Sequence, residues 1–211
     1  MDVYTAINTR RTIRDFDDRP IEMSVIEKII DAGLKAPSND HMRKWEFVIV
    51  NDKKVRAELL GIIPGILPST NTKVHTMLDS WGLTDIDQRN MLLDSVPKQY
   101  TMLYNAGCLI LPFFYHKGAL LQPKTLVSLA GLSSIWCCIE NMLLASAAEG
   151  IFGVTRIPQT EKEQPHIKNV IQLPDDYVLP CYIGLGYPKK DAVINVQKKV
   201  SVKDKIHIDK W

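Results

Sequence analysis

The stretch Cys108-Leu-Ile-Leu-Pro-Phe-Phe-Tyr115 is apolar at almost every position, and it decides the fold class of this chain. A strand with one face toward solvent alternates in polarity, whereas an unbroken apolar run is typical of a strand covered on both faces. We therefore predict a central strand over residues 108–115, in a sheet flanked by helices.

Further strand signals lie on both sides of this run. Trp45–Val50 is aromatic and β-branched, Ile151–Val154 follows a glycine, and Val178–Leu185 ends before a Gly-Tyr-Pro turn. Four strands interspersed with helices in one core indicate a mixed α/β or α+β sandwich, which we expect to be a single domain over residues 1–211.

Helical patterns fill much of the remaining chain. Residues 126–148 predict a long core helix, and Ser24 with Glu27 predicts a capping box at the start of another helix. A helix is also predicted over residues 76–93. The region 61–105 carries the weakest pattern, and we expect it to form a lid.

The composition excludes several classes of protein. The chain has 211 residues, 45% of them hydrophobic, and a formal net charge of +2. This charge is too small to indicate a nucleic-acid partner, and no long basic run is present. The most apolar stretch, Thr125–Ile139, is shorter than the roughly 20 residues that a spanning helix needs. No membrane partner is therefore expected.

The four cysteines indicate neither disulfides nor zinc. They lie among apolar neighbours without a C-x-x-C spacing, at Cys108, Cys137, Cys138 and Cys181. Buried, reduced thiols in a cytoplasmic protein are the expectation, with no metal site.

The last segment, residues 189–211, is polar and Lys-rich and has little capacity for a core of its own. It is either disordered or packed on something else. Its closing Ile206–Trp211 stretch favours an arm that wraps a partner subunit.

The segment Arg10-Arg-Thr-Ile-Arg14 is the first candidate site. Three guanidinium groups and a hydroxyl suit a dianionic phosphate, because arginine forms forked, charge-assisted hydrogen bonds. The same cations could instead favour the C-terminal end of the preceding helix. Residue types alone leave both interpretations open.

The loop Pro37-Ser-Asn-Asp-His41 is the second candidate. Hydroxyl and amide groups ahead of a strand can bind a heterocycle or a phosphate, although they also cap ordinary turns. A third segment, Gly184–Pro188, begins like a dinucleotide fingerprint, but Lys189 stands at the position of the third glycine. The five histidines are scattered singly, so no acid–base apparatus can be assembled.

Taken in order, these segments resemble the nitroreductase family of FMN-dependent oxidoreductases. Thr9–Phe16 is similar to its R-R-S-x-R-x-F signature. Ile26–Ser38 followed by Trp45–Val50 is similar to L-x-x-I-L-x-A-x-x-A-P-S and P-W-x-F-x-V-V. Ile139–Gly150 is similar to Q-N-L-L-L-A-A-x-x-x-G, and Leu185–Pro188 with a basic tail is similar to the family's ending.

The resemblance implies an α+β sandwich with a mostly antiparallel central sheet, built as an interlocked homodimer with one FMN at each interface. The residues that it assigns to cofactor binding are Arg10, Arg11, Thr12, Arg14, Pro37, Ser38, Asn39, His41, Ser134, Thr155, Arg156, Lys198 and Lys199.

Each group has an implied role. Residues 10–14 would hold the ribityl phosphate and the polar edge of the flavin, and residues 37–39 would come from the other subunit. The backbone at Thr155–Arg156 would approach flavin N5, and residues 198–199 would reach the phosphate. No catalytic side chain is implied, because the flavin carries the chemistry.

The implied function is electron transfer from NADH or NADPH to a nitroaromatic, quinone or other small conjugated acceptor, with ping-pong kinetics. The family's Asn-x-Gln-Pro-Trp is replaced here by His41-Met-Arg-Lys-Trp45, which removes an amide pair and adds two cations. Two alternatives remain open at this point: a reductive dehalogenase-like relative, and a flavin-binding store or redox sensor without turnover.

Overall fold

The computed structural model describes residues 1–64, 71–118 and 120–211. Its helices are α1 (Val3–Thr9), α2 (Met23–Leu34), α3 (Lys53–Leu60), α4 (Asn71–Ser80), α5 (Ile86–Ser95), α6 (Thr101–Tyr104), α7 (Ala130–Ala148) and α8 (Glu163–Ile171). Its strands are β1 (Trp45–Ile49), β2 (Cys108–Tyr115), β3 (Phe152–Arg156), β4 (Tyr177–Val178) and β5 (Tyr182–Gly186). Single 3-10 turns lie at Leu126–Leu129 and Val202–Lys205.

The strands form one antiparallel sheet in the order β1-β2-β5-β3, and β4 pairs with β2 beyond the end of β5. The predicted α+β class with a mostly antiparallel central sheet is confirmed. The predicted strand Val178–Leu185 is wrong in one respect, since it divides into β4 and β5. Pro180, which has no N–H for a ladder, lies in the break, and Leu179 N–H donates to Gln164 Oε1 at 3.2 Å instead.

Strand β2 is buried on both faces, as its unbroken apolar run predicts. Leu109, Leu111 and Phe113 point into one core, whereas Ile110 and Phe114 point into the other. Helices α2 and α7 cover the second core, and α3, α6 and α8 cover the first. Two helical layers therefore enclose the sheet.

Two predictions about helices are wrong in detail. Helix α2 begins at Met23 with Glu22 as an N-cap that makes no side-chain bond, so Ser24 and Glu27 do not form the cap. Burial of Ile21 fixes the chain just before the helix, and the Glu22 carbonyl accepts the first bond, from Ile26 N–H at 3.2 Å.

The predicted helix over residues 76–93 is two helices, α4 and α5. Gly82 adopts a φ of +65°, which ends α4, and Asp85 caps α5 by accepting from Gln88 N–H at 2.9 Å. Residues 65–70, within the weakly patterned region 61–105, lie outside the described residues.

Helix α7, with the turn before it, matches the predicted span 126–148. By length and composition the described residues contain one helix that could cross a membrane, Leu126–Ala148, with a mean hydropathy of 1.5. Only 28% of its most apolar window is buried within this chain. One side packs on α2 and the sheet, as in a core helix, and the other is left uncovered.

The C-terminal arm, residues 189–211, contains no helix or strand beyond one 3-10 turn. Val196, Val202, Ile208 and Trp211 are largely exposed on it. The arm therefore presents apolar side chains to solvent.

Candidate cofactor site

The cationic segment after α1 is fastened to the edge of the sheet. Ile13 and Phe16 are buried, and Ile13 N–H donates to the carbonyl of Gly153 at 3.3 Å. Thr12 forms a bridge with Gly153 in β3, and Phe16 forms one with Pro188. Alternate side chains of an extended segment point in opposite directions, so the anchoring of Ile13 leaves its neighbours toward solvent.

The three arginines of this segment have different partners. Arg10 Nε lies 3.4 Å from Glu140 Oε1 on α7. Arg11 Nη1 donates to the carbonyls of Asn8 and Arg10 at 2.8 and 2.7 Å, which leaves its other N–H groups available. Thr12, which follows Arg11 in the sequence, is exposed. This donor set can accept a phosphate without breaking a core contact.

Arg14 is partly buried and only loosely paired. Its Nη1 lies 3.8 Å from Asp94 Oδ2, an oxygen that is buried without a hydrogen-bond partner. Burial lowers the pKa of Arg14, although the charges of Asp94 and Asp15 oppose the shift. The guanidinium remains a cation with spare donors, held next to α5.

Lys98 supports this arrangement from the other side. Its Nζ lies 2.6 Å from Asp15 and 2.5 Å from Asp94. Burial would lower the pKa of Lys98, but the hydrogen bonds to both carboxylates raise it overall. Two cations, Arg14 and Lys98, therefore share one carboxylate at the end of α5.

The Pro37–His41 loop and Ser134 lie next to each other. The Asn39 N–H donates to Ser134 Oγ at 3.2 Å. Ser38 Oγ is buried without a hydrogen-bond partner. Ser38, Asn39 and Ser134 line a cleft of about 80 Å³, together with Lys44 and Trp45 among others. An unsatisfied buried hydroxyl costs free energy, so the cleft favours a ligand that can bond to it.

The end of β3 is divided between the surface and the core. Thr155 is half-buried, whereas Arg156 is buried and forms a bidentate pair with Glu163 on α8. Tyr182 Oη donates to the same carboxylate at 3.2 Å. The Arg156 side chain is thus committed to the core.

Lys198 and Lys199 are exposed on the C-terminal arm. Lys198 is hydrogen-bonded to Asp85, the N-cap of α5, and this bond raises the pKa of Lys198 and lowers that of Asp85. A cleft of about 490 Å³ lies between α5 and the arm, lined by Met91 and Asn195 among others. Because Arg14 Nη2 contacts Met91 Sδ at 3.8 Å, α5 connects the two cationic segments.

The structure thus brings the predicted residues into separate groups within one chain: residues 10–14 at the sheet edge, Ser38 and Asn39 with Ser134, and Lys198 across α5. Asp94 and Lys98 were not among the predicted site residues. Their i,i+4 spacing, across the C-terminal end of α5, is a signal that could have found the pair. It could not have shown that both lie beside Arg14.

Metal chemistry has no evident ligands. Within residues 1–64, 71–118 and 120–211, no group of three or more His, Cys, Asp or Glu side chains could hold a metal ion. The donors gathered at this site are guanidinium, hydroxyl, amide and ammonium groups, which suit an anion.

Comparisons with known proteins bear on the family and the fold. The model of the nitroreductase family matches residues 7–187. A protein from Methanothermobacter thermautotrophicus, to which NADH dehydrogenase or NAD(P)H nitroreductase activity is ascribed, is 26% identical over 212 residues, which cover 100% of this chain and 88% of that protein. An iodotyrosine deiodinase from Nematostella vectensis is 25% identical over 93% of this chain and 71% of its own length.

The fold is also found among solved structures. An oxidized iodotyrosine deiodinase bound to FMN and 3-iodo-L-tyrosine superposes with a TM-score of 0.68 at 18% identity, over 95% of this chain and 97% of that chain. This likeness shows a shared fold. Because the family model spans most of the sequence, from before the cationic segment to the end of β5, the chain belongs to the nitroreductase family.

Proposed function

We propose that this chain is an FMN-dependent oxidoreductase that transfers electrons from NADH or NADPH to a nitroaromatic, quinone or similar conjugated acceptor. The observation that carries the proposal is the donor set around residues 10–14. It combines spare guanidinium groups, an exposed hydroxyl and a loosely paired, partly buried Arg14.

These residues fit FMN by their chemistry. A phosphate monoester carries up to two negative charges and accepts several hydrogen bonds, and arginine is the residue best suited to meet both needs. The buried, unsatisfied Ser38 hydroxyl adds a neutral donor of the kind that a heterocycle can use. FMN, when bound, would supply the two-electron redox chemistry.

The protein's own residues bind and orient. Arg10, Arg11, Thr12 and Arg14 would hold the phosphate and the polar edge of the ring, with Lys198 and Lys199 adding positive charge. Residues 37–39, with His41 and Ser134, would complete a site at a subunit interface. Backbone N–H groups near Thr155 would provide fixed dipoles at the reacting edge.

A homodimer is part of the proposal. The exposed apolar side chains of α1, the uncovered side of α7 and the C-terminal arm support it, since a monomer rarely leaves so much apolar surface uncovered. We infer that residues 189–211 wrap the partner, in a soluble cytoplasmic enzyme. If the purified protein had the mass of a single chain in solution, the proposed homodimer would be contradicted.

The two substrates are expected to use one face of the site in turn, which gives parallel lines in double-reciprocal plots.

A second candidate function has specific support. Relatives include iodotyrosine deiodinases, so reductive dehalogenation of a halogenated phenol is the alternative. Halide release from a halotyrosine, in the absence of nitroaromatic reduction, would select it.

The first experiment is the visible absorption spectrum of the purified protein. Bands near ~370 and ~450 nm from a non-covalent chromophore identified as FMN would support the proposal. Loss of the ~450 nm band on adding NADH or NADPH under argon would then exclude a store or sensor without turnover. A colourless protein that takes up no added FMN would overturn the proposed function.

A further inference from the structure

The loop between α2 and β1, residues 35–44, carries four of the proposed cofactor contacts and is held at both ends. Ala36 is fully buried and Trp45 is 7% exposed, and both belong to the core beneath α2 and α7. Between these anchors the loop is exposed or half-buried, except for the atoms that face the cleft. Apart from the Asn39 N–H bond to Ser134 Oγ on α7, burial does little to fix its shape, so contacts within the loop matter.

Arg43 supplies such contacts. Its Nε donates to the carbonyl of Leu34, the last residue of α2, at 2.8 Å. Its Nη1 donates to the carbonyl of His41 at 3.1 Å. One planar guanidinium thus joins the carbonyl that precedes the loop to one inside it. A cation is also favourable at a helix C-terminus, where carbonyl groups lack partners.

The backbone of the loop shows why such a brace is needed. His41 and Arg43 have φ values of +56° and +45°, in the left-handed region that non-glycine residues rarely adopt. Such a conformation is strained for a residue with a Cβ, and it persists only where surrounding contacts fix it. The Met42 N–H to Asp40 Oδ1 bond, at 3.1 Å, and the Trp45 N–H to Arg43 carbonyl bond, at 2.6 Å, also support the turn.

We propose that Arg43 is a positioning residue that holds the Pro37–His41 loop in its cofactor-binding shape; this inference rests on the proposed function. Among the described residues, those lining the 80 Å³ cleft include Ser38, Asn39 and Lys44 but not Arg43. Arg43 therefore acts through the loop. The cation that departs from the family pattern at this position serves as a clamp on the backbone.

The test uses the full chain with Arg43→Met, Arg43→Lys and a matched control, Lys168→Met. Lys168 also ties a helix to the following loop, since its Nζ donates to the carbonyl of Asp175 at 2.6 Å. Two quantities are measured for each protein: the Kd for FMN from quenching of flavin fluorescence, and the hydrogen-exchange rates of the Asn39 and Met42 amides.

We expect Arg43→Met to raise the FMN Kd about tenfold, as the loss of one or two charge-assisted hydrogen bonds would. The two amides should exchange faster in the same variant. Arg43→Lys should lie between it and the wild type, because an ammonium can reach one carbonyl but lacks the planar fork. Lys168→Met should change neither quantity.

An unchanged FMN Kd in Arg43→Met overturns the inference, even if the urea midpoint falls, since Arg43 would then be structural only. If Arg43→Met fails to fold, the FMN Kd of Arg43→Lys decides. A Kd above that of the wild type supports the inference, and an unchanged Kd overturns it. If the wild type binds no FMN, the proposed function fails. Unchanged amide exchange at Asn39 and Met42 in Arg43→Met would separately overturn the positioning role of Arg43.

Discussion

Arg156 and Glu163 form a bidentate ion pair inside the protein, with Arg156 Nη1 2.5 Å from Glu163 Oε2 and side chains only 1% and 0% exposed. The Gln159 and Thr160 N–H groups donate to the same carboxylate at 2.8 and 3.1 Å. This pair joins the end of β3 to α8 and so fixes the backbone that leads to the proposed cofactor.

Removing the charge from one partner should be costly. Glu163→Gln leaves a buried guanidinium without a counter-charge, and breaking a buried pair in this way costs about 3–5 kcal/mol. The free energy of unfolding in urea measures the loss. Glu161→Gln, at an exposed position nearby, should change it by less than about 0.5 kcal/mol. Equal effects of the two substitutions would contradict a stabilising role for the pair.

The same pair predicts acid sensitivity. Burial alone would raise the pKa of Glu163, but the hydrogen bonds from Arg156 and the backbone lower it overall. Because the unfolded chain then takes up the proton first, the stabilisation is complete above the ordinary glutamate pKa and is lost as pH falls below about 4. The urea midpoints of wild type and Glu163→Gln should therefore differ most above the ordinary glutamate pKa and approach each other as pH falls below it; a constant difference would be inconsistent with this linkage.

Close packing of α2 on α7 requires a glycine at position 33. A Cβ there would lie 2.6 Å from Met142 Cγ and 2.9 Å from Cys138 Sγ. Gly33→Ala should lower the free energy of unfolding by about 1–3 kcal/mol, despite the better helix propensity of alanine. Ala substitution at Glu27, exposed on the same helix, is the control. A gain in stability for Gly33→Ala would show that the helices can separate freely.

The cysteines should differ in reactivity. Burial raises the pKa of Cys108 and of Cys138 to about 12 and also raises that of Cys181, so these thiols are protonated at neutral pH. Cys137 is exposed. Titration of the folded protein with a thiol reagent should leave these three thiols unmodified, and Cys137→Ser should therefore remain unmodified until it is denatured. Reaction of folded Cys137→Ser would refute the assignment.

Arg14 should be a strong determinant of cofactor affinity. Arg14→Met removes a partly buried cation whose nearest carboxylate is 3.8 Å away, and the loss of a charged hydrogen bond should raise the FMN Kd roughly tenfold to a hundredfold. Lys124→Met, at an exposed position, should leave it unchanged. Affinity would be measured by calorimetry of the cofactor-free chain. Similar Kd values for both variants would remove Arg14 from the site.

Much of the architecture could be predicted because it follows from local patterns. The apolar run of β2 and the spacing of apolar residues along α7 reflect which faces of these elements are buried. That pattern can be read directly from the sequence. Pro180 and Gly82 belong to residue types that commonly interrupt a strand or a helix. The break in the strand and the division of the helix could therefore have been predicted from them. They were missed because the flanking apolar pattern was continuous.

The site was less accessible to prediction, because its geometry depends on long-range contacts. Arg156 was expected beside the cofactor, and nothing nearby in the sequence indicates that Glu163 and Tyr182 claim its side chain. Arg43 was noted only as a departure from a family pattern. Its role became visible once the Leu34 and His41 carbonyls were seen to lie within reach of one guanidinium.

The strand order has a consequence for how the protein is made. Strand β5 lies between β2 and β3, although both are synthesised before it. While a ribosome adds the intervening residues at roughly 5–20 per second, β2 and β3 have no common neighbour, and each presents a bare edge to other nascent chains. Completion of the sheet must therefore wait until Gly186 has left the ribosome, and the bridge between Phe16 and Pro188 can form only after that.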